Sequence, residues 1–426
     1  MRKYLLLLVT LFALTPASAQ IRGNNITVTI QPDHKDWNYK VGEKAVFTVN
    51  VLRSGTLLDN VRVDYEAGPA MYPDIQKRDV TLKDGTMKFS GKMSKPGFYQ
   101  LKVTAHVGDK DYEGLCMAGF SPEKIQPATQ CPADFDAFWS KALDDARKFD
   151  LDPHLTPLPD RSTKDVAVYE VSFVNDRPNG RIYGILCIPK KAGRYPALLR
   201  VPGAGIRQYH GDVWTAAQGA ITLEIGIHGI PVTMEQSVYD EMFTAGLDGY
   251  YDVNLENPDR NYYKRVVVGA VRAVDYLASL PEWNGASLGV SGSSQGGFLS
   301  LAVAALDQRV TFCGVVHGAM CDYESELKGV AGGWPHYFYR VKNPSSERIR
   351  GARYYDGVNF ARRIKCPGWF SFGYNDEVVP PTSAYGTYNV FKAPKTLSLY
   401  QLTGHYWYQE QWDEWQNWLL EQMKIK

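Results

Sequence analysis

The chain has 426 residues, 44% of them hydrophobic, and 47 Lys and Arg balance 46 Asp and Glu for a net charge of +1. That length is natural for two domains with large cores. The neutral balance excludes the strong field that binding to nucleic acid or an anionic membrane draws on, so the expected partner is an uncharged molecule.

The first nineteen residues, "MRKYLLLLVTLFALTPASA", have a basic start, an apolar stretch and small residues at Ala17 and Ala19. That pattern reads as an export signal cut after Ala19, placing the mature protein in the periplasm or outside the cell. No later segment is apolar enough to span a bilayer. From residue 20 to 122, runs such as "NITVTI", "KAVFTVNVLR" and "NVRVDYEA" alternate with turn signals such as "KDG" and "KPG". This spacing predicts an immunoglobulin-like β-sandwich. It holds no cluster of acids, histidines or cysteines, so it is expected to be a scaffold or accessory domain. The six cysteines, Cys116, Cys131, Cys187, Cys313, Cys321 and Cys366, show no C-x-x-C pair and no zinc spacing, so no metal site is expected. Export permits a bridge such as Cys116–Cys131 across the domain boundary, with buried free thiols the expected state for most of the six.

A proline-bearing linker, "SPEKIQPATQCPAD", separates this region from residues 123–426, where strands alternate with helices. Alternation of that kind predicts a mostly parallel sheet covered on both faces. "DFDAFWSKALDDARKF" is an amphipathic helix, "VAVYEVSFVN" and "RIYGILCIPK" a strand pair, and "YPALLRVPGAG" a strand with a turn. "NYYKRVVVGAVRAVDYLASLP" is a long helix just ahead of "LGVSGSSQGG". That last stretch joins a short apolar strand to the buried helix "FLSLAVAAL" through a glycine-flanked turn. It has the form of a nucleophile elbow, in which Gly292 and Gly296 flank Ser294, and Ser293 is only the variable position before it.

A serine needs a base to take its proton and an acid to orient that base. In an α/β-hydrolase these follow the serine in the order acid, then histidine. Three histidines follow Ser294. His317 sits after a strand, where a structural role is expected, and His336 lies among aromatics. His405, in a glycine-bearing loop after the strand-like "TLSLY", is the expected base. Asp376 closes "CPGWFSFGYND" as the expected acid, with Glu377 the fallback. The oxyanion needs two backbone N–H donors, expected from Gln295 after the nucleophile and from Ala204 in the turn "VPGAG". No cofactor is required.

These residues carry a family resemblance. From about residue 130 onward the chain resembles the acetyl xylan esterase and cephalosporin C deacetylase family of carbohydrate esterases. The similar stretches are "CPADFDAFWSKAL", "GASLGVSGSSQGG" and "YYDGVNFARRIKCPGWFSFGYNDEVVPPTSAY". The resemblance implies an α/β-hydrolase fold with Ser294, Asp376 and His405 as its triad. It implies a secreted esterase that removes acetyl or other small acyl groups from plant polysaccharides or oligosaccharides such as acetylated xylan. Members often assemble as oligomers, which leaves a homo-oligomer open here. Three positions depart from the family pattern. Its His-Gly-Tyr at the oxyanion turn is Pro202, Gly203 and Ala204, its Arg-Gly-Gln is His228, Gly229 and Ile230, and its Glu after the base is Tyr406.

Aromatic side chains fill cores and also stack on sugars. Trp412, Trp415 and Trp418 recur at a helical spacing and are expected in the core. Trp334, His336 and Tyr337, in the irregular "GGWPHYFYR", are expected to wall a substrate cleft. Two other readings remain open: a prolyl-oligopeptidase-like peptidase, which shares the elbow and chain order, and a polysaccharide-binding protein without turnover.

Overall fold

A computed structural model describes residues 25–425, so the expected export signal lies outside the described residues. None of the described helices is long and apolar enough to cross a membrane.

Ahead of the linker the described residues form β1 (Ile26–Pro32), β2 (Asn38–Tyr39), β3 (Ala45–Arg53), β4 (Thr56–Leu57), β5 (Val61–Pro69), β6 (Ile75–Leu82), β7 (Thr86–Gly91), β8 (Gly97–Val107) and β9 (Lys110–Phe120). One sheet joins β1, β3 and β4, with β7 on β3, and the other runs β2-β9-β8-β5-β6. In β1 and β3 buried residues alternate with more exposed ones, the pattern of a strand with one face in a core and one toward water. Val28, Phe47 and Val49 from the first sheet share an apolar core with Val63, Leu101 and Val103 from the second.

That core is not closed on itself. Phe372, Tyr374, Ala384 and Tyr385, from the second half of the chain, belong to it. The linker is held as well: Ala128 and Thr129 donate their backbone N–H groups to Asp322 Oδ1 at 2.7 and 3.0 Å, and the Thr129 hydroxyl donates to Asp356 Oδ2 at 2.7 Å. The proline-bearing linker is therefore anchored in the second domain.

After the linker come β10 (His154–Pro157), β11 (Val166–Val174), β12 (Arg181–Pro189), β13 (Tyr195–Arg200), β14 (Ile221–Gly226), β15 (Trp283–Ser293), β16 (Phe312–Val316), β17 (Gly368–Phe372) and β18 (Lys395–Leu399). They form one sheet in the order β10-β11-β12-β14-β13-β15-β16-β17-β18. The pairs from β10 to β12, and β12 with β14, are antiparallel. The rest, from β14 through β13 and β15 to β18, are parallel, so those strands all end on one edge. Helix Tyr262–Ser279 lays Val266, Val267, Ala270, Val271 and Val274 into the core beside Leu199, Leu223 and Val290. The other face is covered by helix Gln409–Met423, whose Trp415, Leu419 and Met423 meet Leu198, Phe312 and Trp369.

One expectation changes here, and one permitted pairing is not formed. Trp415 is buried, with its indole N–H on Ser291 Oγ at 2.9 Å, but Trp412 is 37% exposed and Trp418 half-buried. A step of three residues turns the helix by less than a full turn, so the three rings fan over about 120° and only the middle one points inward. The Cys116–Cys131 bridge is also absent: all six cysteines are free, and Cys116 is buried while Cys131 is exposed.

Candidate active site

The turn from β15 into helix Gln295–Leu306 places Ser294 at φ 59° and ψ −124°, outside the ordinary regions for an L-residue. A conformation of this kind costs about 1–3 kcal/mol and is held only by its surroundings. Those surroundings explain both flanking glycines. A Cβ at Gly292 or at Gly296 would stand 2.4 Å from the Val201 carbonyl oxygen, so only glycine lets β13 approach the elbow. The Ser294 N–H donates to Val316 O at 2.8 Å, which ties the elbow to β16.

The shared edge of the parallel strands gathers the other groups. Pro202 to Gly205 follow β13, Ser294 follows β15, His317 follows β16, Asp376 lies just beyond β17 and His405 beyond β18. Asp376 is fully buried; its Oδ1 accepts the Val378 and Val379 N–H groups at 2.9 and 2.8 Å, and its Oδ2 takes His405 Nδ1 at 2.8 Å. Facing a carboxylate, Nδ1 carries the proton, which leaves Nε2 as an acceptor. Glu377 is exposed and 3.4 Å from the Lys102 ammonium, the situation of a solvated loop carboxylate.

His317, expected to be structural, is a further neighbour of the acid. Its Nδ1 lies 3.3 Å from Asp376 Oδ2, a longer approach than that of His405 and without hydrogen-bond geometry. Burial alone would push the Asp376 carboxyl up; the two imidazoles beside it outweigh burial and hold it at about 2.

At the oxyanion turn, the Gln295 N–H is at the first helical position and has no acceptor within its helix. Gly203 faces the elbow, since a Cβ there would stand 3.8 Å from Ser294 Cβ. The fully buried Gln295 side chain locks this turn. Its Oε1 accepts the Tyr250 and Tyr263 hydroxyls, both at 2.7 Å, and its Nε2 donates to Pro202 O at 3.3 Å and Gly203 O at 3.4 Å. His228 supports the next residue. Its Nε2 lies 3.2 Å from Gly205 O, which can only accept, so Nε2 is the donor and Nδ1 accepts the Tyr262 hydroxyl at 2.8 Å. Burial drives His228 down to about 4 against the pull of the Gly205 carbonyl, with Arg265 and Arg207 adding to the fall. The ring is therefore neutral and keeps this tautomer at neutral pH. Sequence reasoning missed Tyr250 and Tyr263 altogether; for Tyr263 the one signal was the tyrosine pair at the start of the long helix, and Tyr250 lies ahead of that helix in a short turn.

The cleft-wall residues divide. Tyr337 is only 6% exposed, and its hydroxyl donates to Tyr251 O, so it is turned inward and does not face an open cleft. His336 has both ring nitrogens engaged, Nδ1 with Glu326 Oε1 at 2.8 Å and Nε2 with Val378 O at 3.1 Å. Trp334 is half-buried, edge-on to Tyr251.

A mixed sheet with a serine elbow at the edge of its parallel strands defines an α/β-hydrolase. The model of the family "Acetyl xylan esterase (AXE1)" matches residues 122–422. Acetyl esterase Axe7A of Xylanibacter ruminicola is 41% identical over 410 residues, covering 95% of this chain and 92% of that protein. The acetyl xylan esterase 1 structure from Thermoanaerobacterium sp. superposes with a TM-score of 0.61 at 25% identity, covering 71% of this chain and 97% of that one. The acetyl xylan esterase from Paenibacillus sp. R4 gives the same TM-score of 0.61 at 24% identity, over 70% of this chain and 98% of that one. The chain belongs to the acetyl xylan esterase family and is a carboxylic ester hydrolase.

Proposed function

We propose that the protein is an exported esterase that removes acetyl or another small acyl group from plant polysaccharides or oligosaccharides such as acetylated xylan. Ser294 Oγ attacks the ester carbonyl while His405 Nε2 takes the serine proton. The N–H groups of Ala204 and Gln295 hold the oxyanion. Collapse of the tetrahedral intermediate expels the sugar alkoxide, which takes the proton from His405, and leaves an acyl-serine. Water, activated by the same ring, then releases the carboxylic acid and restores the serine. Asp376 keeps His405 in the Nδ1–H tautomer throughout. The observation that carries this reading is the 2.8 Å contact between His405 Nδ1 and a buried carboxylate that is otherwise held by backbone N–H groups, at the strand edge that bears the strained serine. The residues ahead of the linker we take to be an immunoglobulin-like sandwich.

The test is hydrolysis of 4-nitrophenyl acetate and release of acetate from acetylated xylan by wild type and Ser294→Ala. Loss of the nucleophile is expected to lower kcat by several orders of magnitude, and retained activity on either substrate refutes the assignment. A mature N-terminus at Gln20 on exported protein checks the signal.

A further inference from the structure

The loop that carries Asp376 is fastened to the N-terminal domain through the residue just before it. Asn375 Oδ1 accepts the Met117 N–H at 2.9 Å, and its Nδ2 donates to Leu115 O at 3.0 Å. Both partners lie on β9. Among the described residues, β2 pairs with the outer edge of β9 at Gly119 and Phe120. Along a strand, residues two apart present their backbone groups to the same side, so the N–H and C=O that Asn375 takes up are those a further strand would pair. One carboxamide thus takes up backbone groups on a stretch of β9 where the described residues pair no strand on that side, and buried backbone groups there require a partner.

The same residue reaches the base loop. Its N–H donates to Thr403 O at 3.1 Å, and Nδ2 also lies 3.4 Å from Leu402 O, two and three residues before His405. Flanking contacts repeat the pattern. The Tyr374 hydroxyl donates to Asn38 Oδ1 at 2.8 Å, and Lys102 on β8 sits between Glu113 at 3.3 Å and Glu377 at 3.4 Å. Residues 374, 375 and 377, which bracket the acid, are each tied to the first domain.

We infer that Asn375 is a positioning residue through which the edge of β9 fixes the Asp376 loop against the His405 loop, making the N-terminal domain a working part of the esterase site. The inference rests on the triad proposed above. The accessory reading of the domain gives way to one in which it sets the geometry of acid and base. A misplacement of about 1 Å in such a pair costs up to about 100-fold in rate.

The experiment compares full-length wild type, Asn375→Ala, Tyr374→Phe, Ser294→Ala and Asp376→Asn on 4-nitrophenyl acetate across pH 5–9. For Asn375→Ala, kcat is expected to fall about 10- to 100-fold with KM within about twofold. Tyr374→Phe, which removes one hydroxyl from a residue that otherwise packs as before, is expected to show the same signature at smaller amplitude, and it decides the matter if Asn375→Ala does not accumulate as folded protein. A lower melting temperature with kcat unchanged overturns the inference, since a merely structural contact would behave that way. Failure of the underlying triad looks different: Ser294→Ala or Asp376→Asn would then keep wild-type turnover.

Discussion

Nδ1 of His317 lies 3.3 Å from Asp376 Oδ2, the oxygen that His405 Nδ1 holds at 2.8 Å, so two imidazoles converge on one buried carboxylate. They differ in access: the His317 side chain is 1% exposed and that of His405 is 27% exposed. Only the second has a face open to an incoming ester. His405→Ala is expected to lower kcat at least about 1,000-fold, and His317→Asn less than about 10-fold, in steady-state assays at pH 8. Equal losses would show that the base had been assigned to the wrong ring.

The depressed Asp376 carboxyl makes a prediction about acid stability. A carboxyl held at about 2, against an ordinary 3.8, stabilises the fold above the ordinary value, and that contribution is lost as the pH falls through 4 toward 2. Its size is about 2 kcal/mol. Urea unfolding of wild type and Asp376→Asn between pH 2 and 6 is expected to give a stability difference that is flat above pH 4 and changes by that amount below it. A difference independent of pH would mean that the carboxyl is not depressed.

His228 titrates in a different window. Its neutral, buried ring is held down at about 4 against an ordinary 6.5, so its contribution is complete above 6.5 and falls away as the pH drops from 6.5 to 4. His228→Gln is expected to flatten the melting temperature across that range. It also loosens the Gly205 carbonyl, and a drop in kcat/KM of about 10-fold is expected, a fraction of what losing an oxyanion donor outright costs.

Ala204, with Gly203 and Gly205 beside it, stands where the resemblance to the family implies a tyrosine. A smaller side chain at the oxyanion turn leaves room for a longer acyl group. One methylene in an apolar pocket is worth about 1–3 kcal/mol of discrimination, so propionyl and butyryl esters are expected to be turned over at rates comparable to acetyl. Ala204→Tyr is expected to lower kcat/KM for butyryl esters more than for acetyl esters. A wild type already strict for acetyl would assign the limit to another side chain.

The gathering of Ser294, Asp376 and His405 at one strand edge was legible in the sequence because each follows a short apolar strand at a turn, and parallel strands end on a common edge. The glycines around Ser294 carried the same information, since their need is set by backbone crowding within a few residues. The roles of His317, His228 and Asn375 were not legible. Each depends on which strand ends lie side by side, and for Asn375 on an edge strand more than 250 positions away in the chain. Tyr337 misled for a related reason: an irregular aromatic run carries no periodicity to tell a ring facing solvent from one turned inward.

The backbone at Ser294 separates durability from turnover. Its φ of 59° and ψ of −124° suit glycine far better than serine. A Ser294→Gly chain is relieved of about 1–3 kcal/mol of torsional cost, set against about 0.5–1 kcal/mol for the extra freedom glycine has when unfolded. The inert enzyme is therefore expected to survive heating better than the active one. A screen that rewarded heat resistance alone would favour glycine at position 294 and so remove the hydroxyl that the proposed reaction needs.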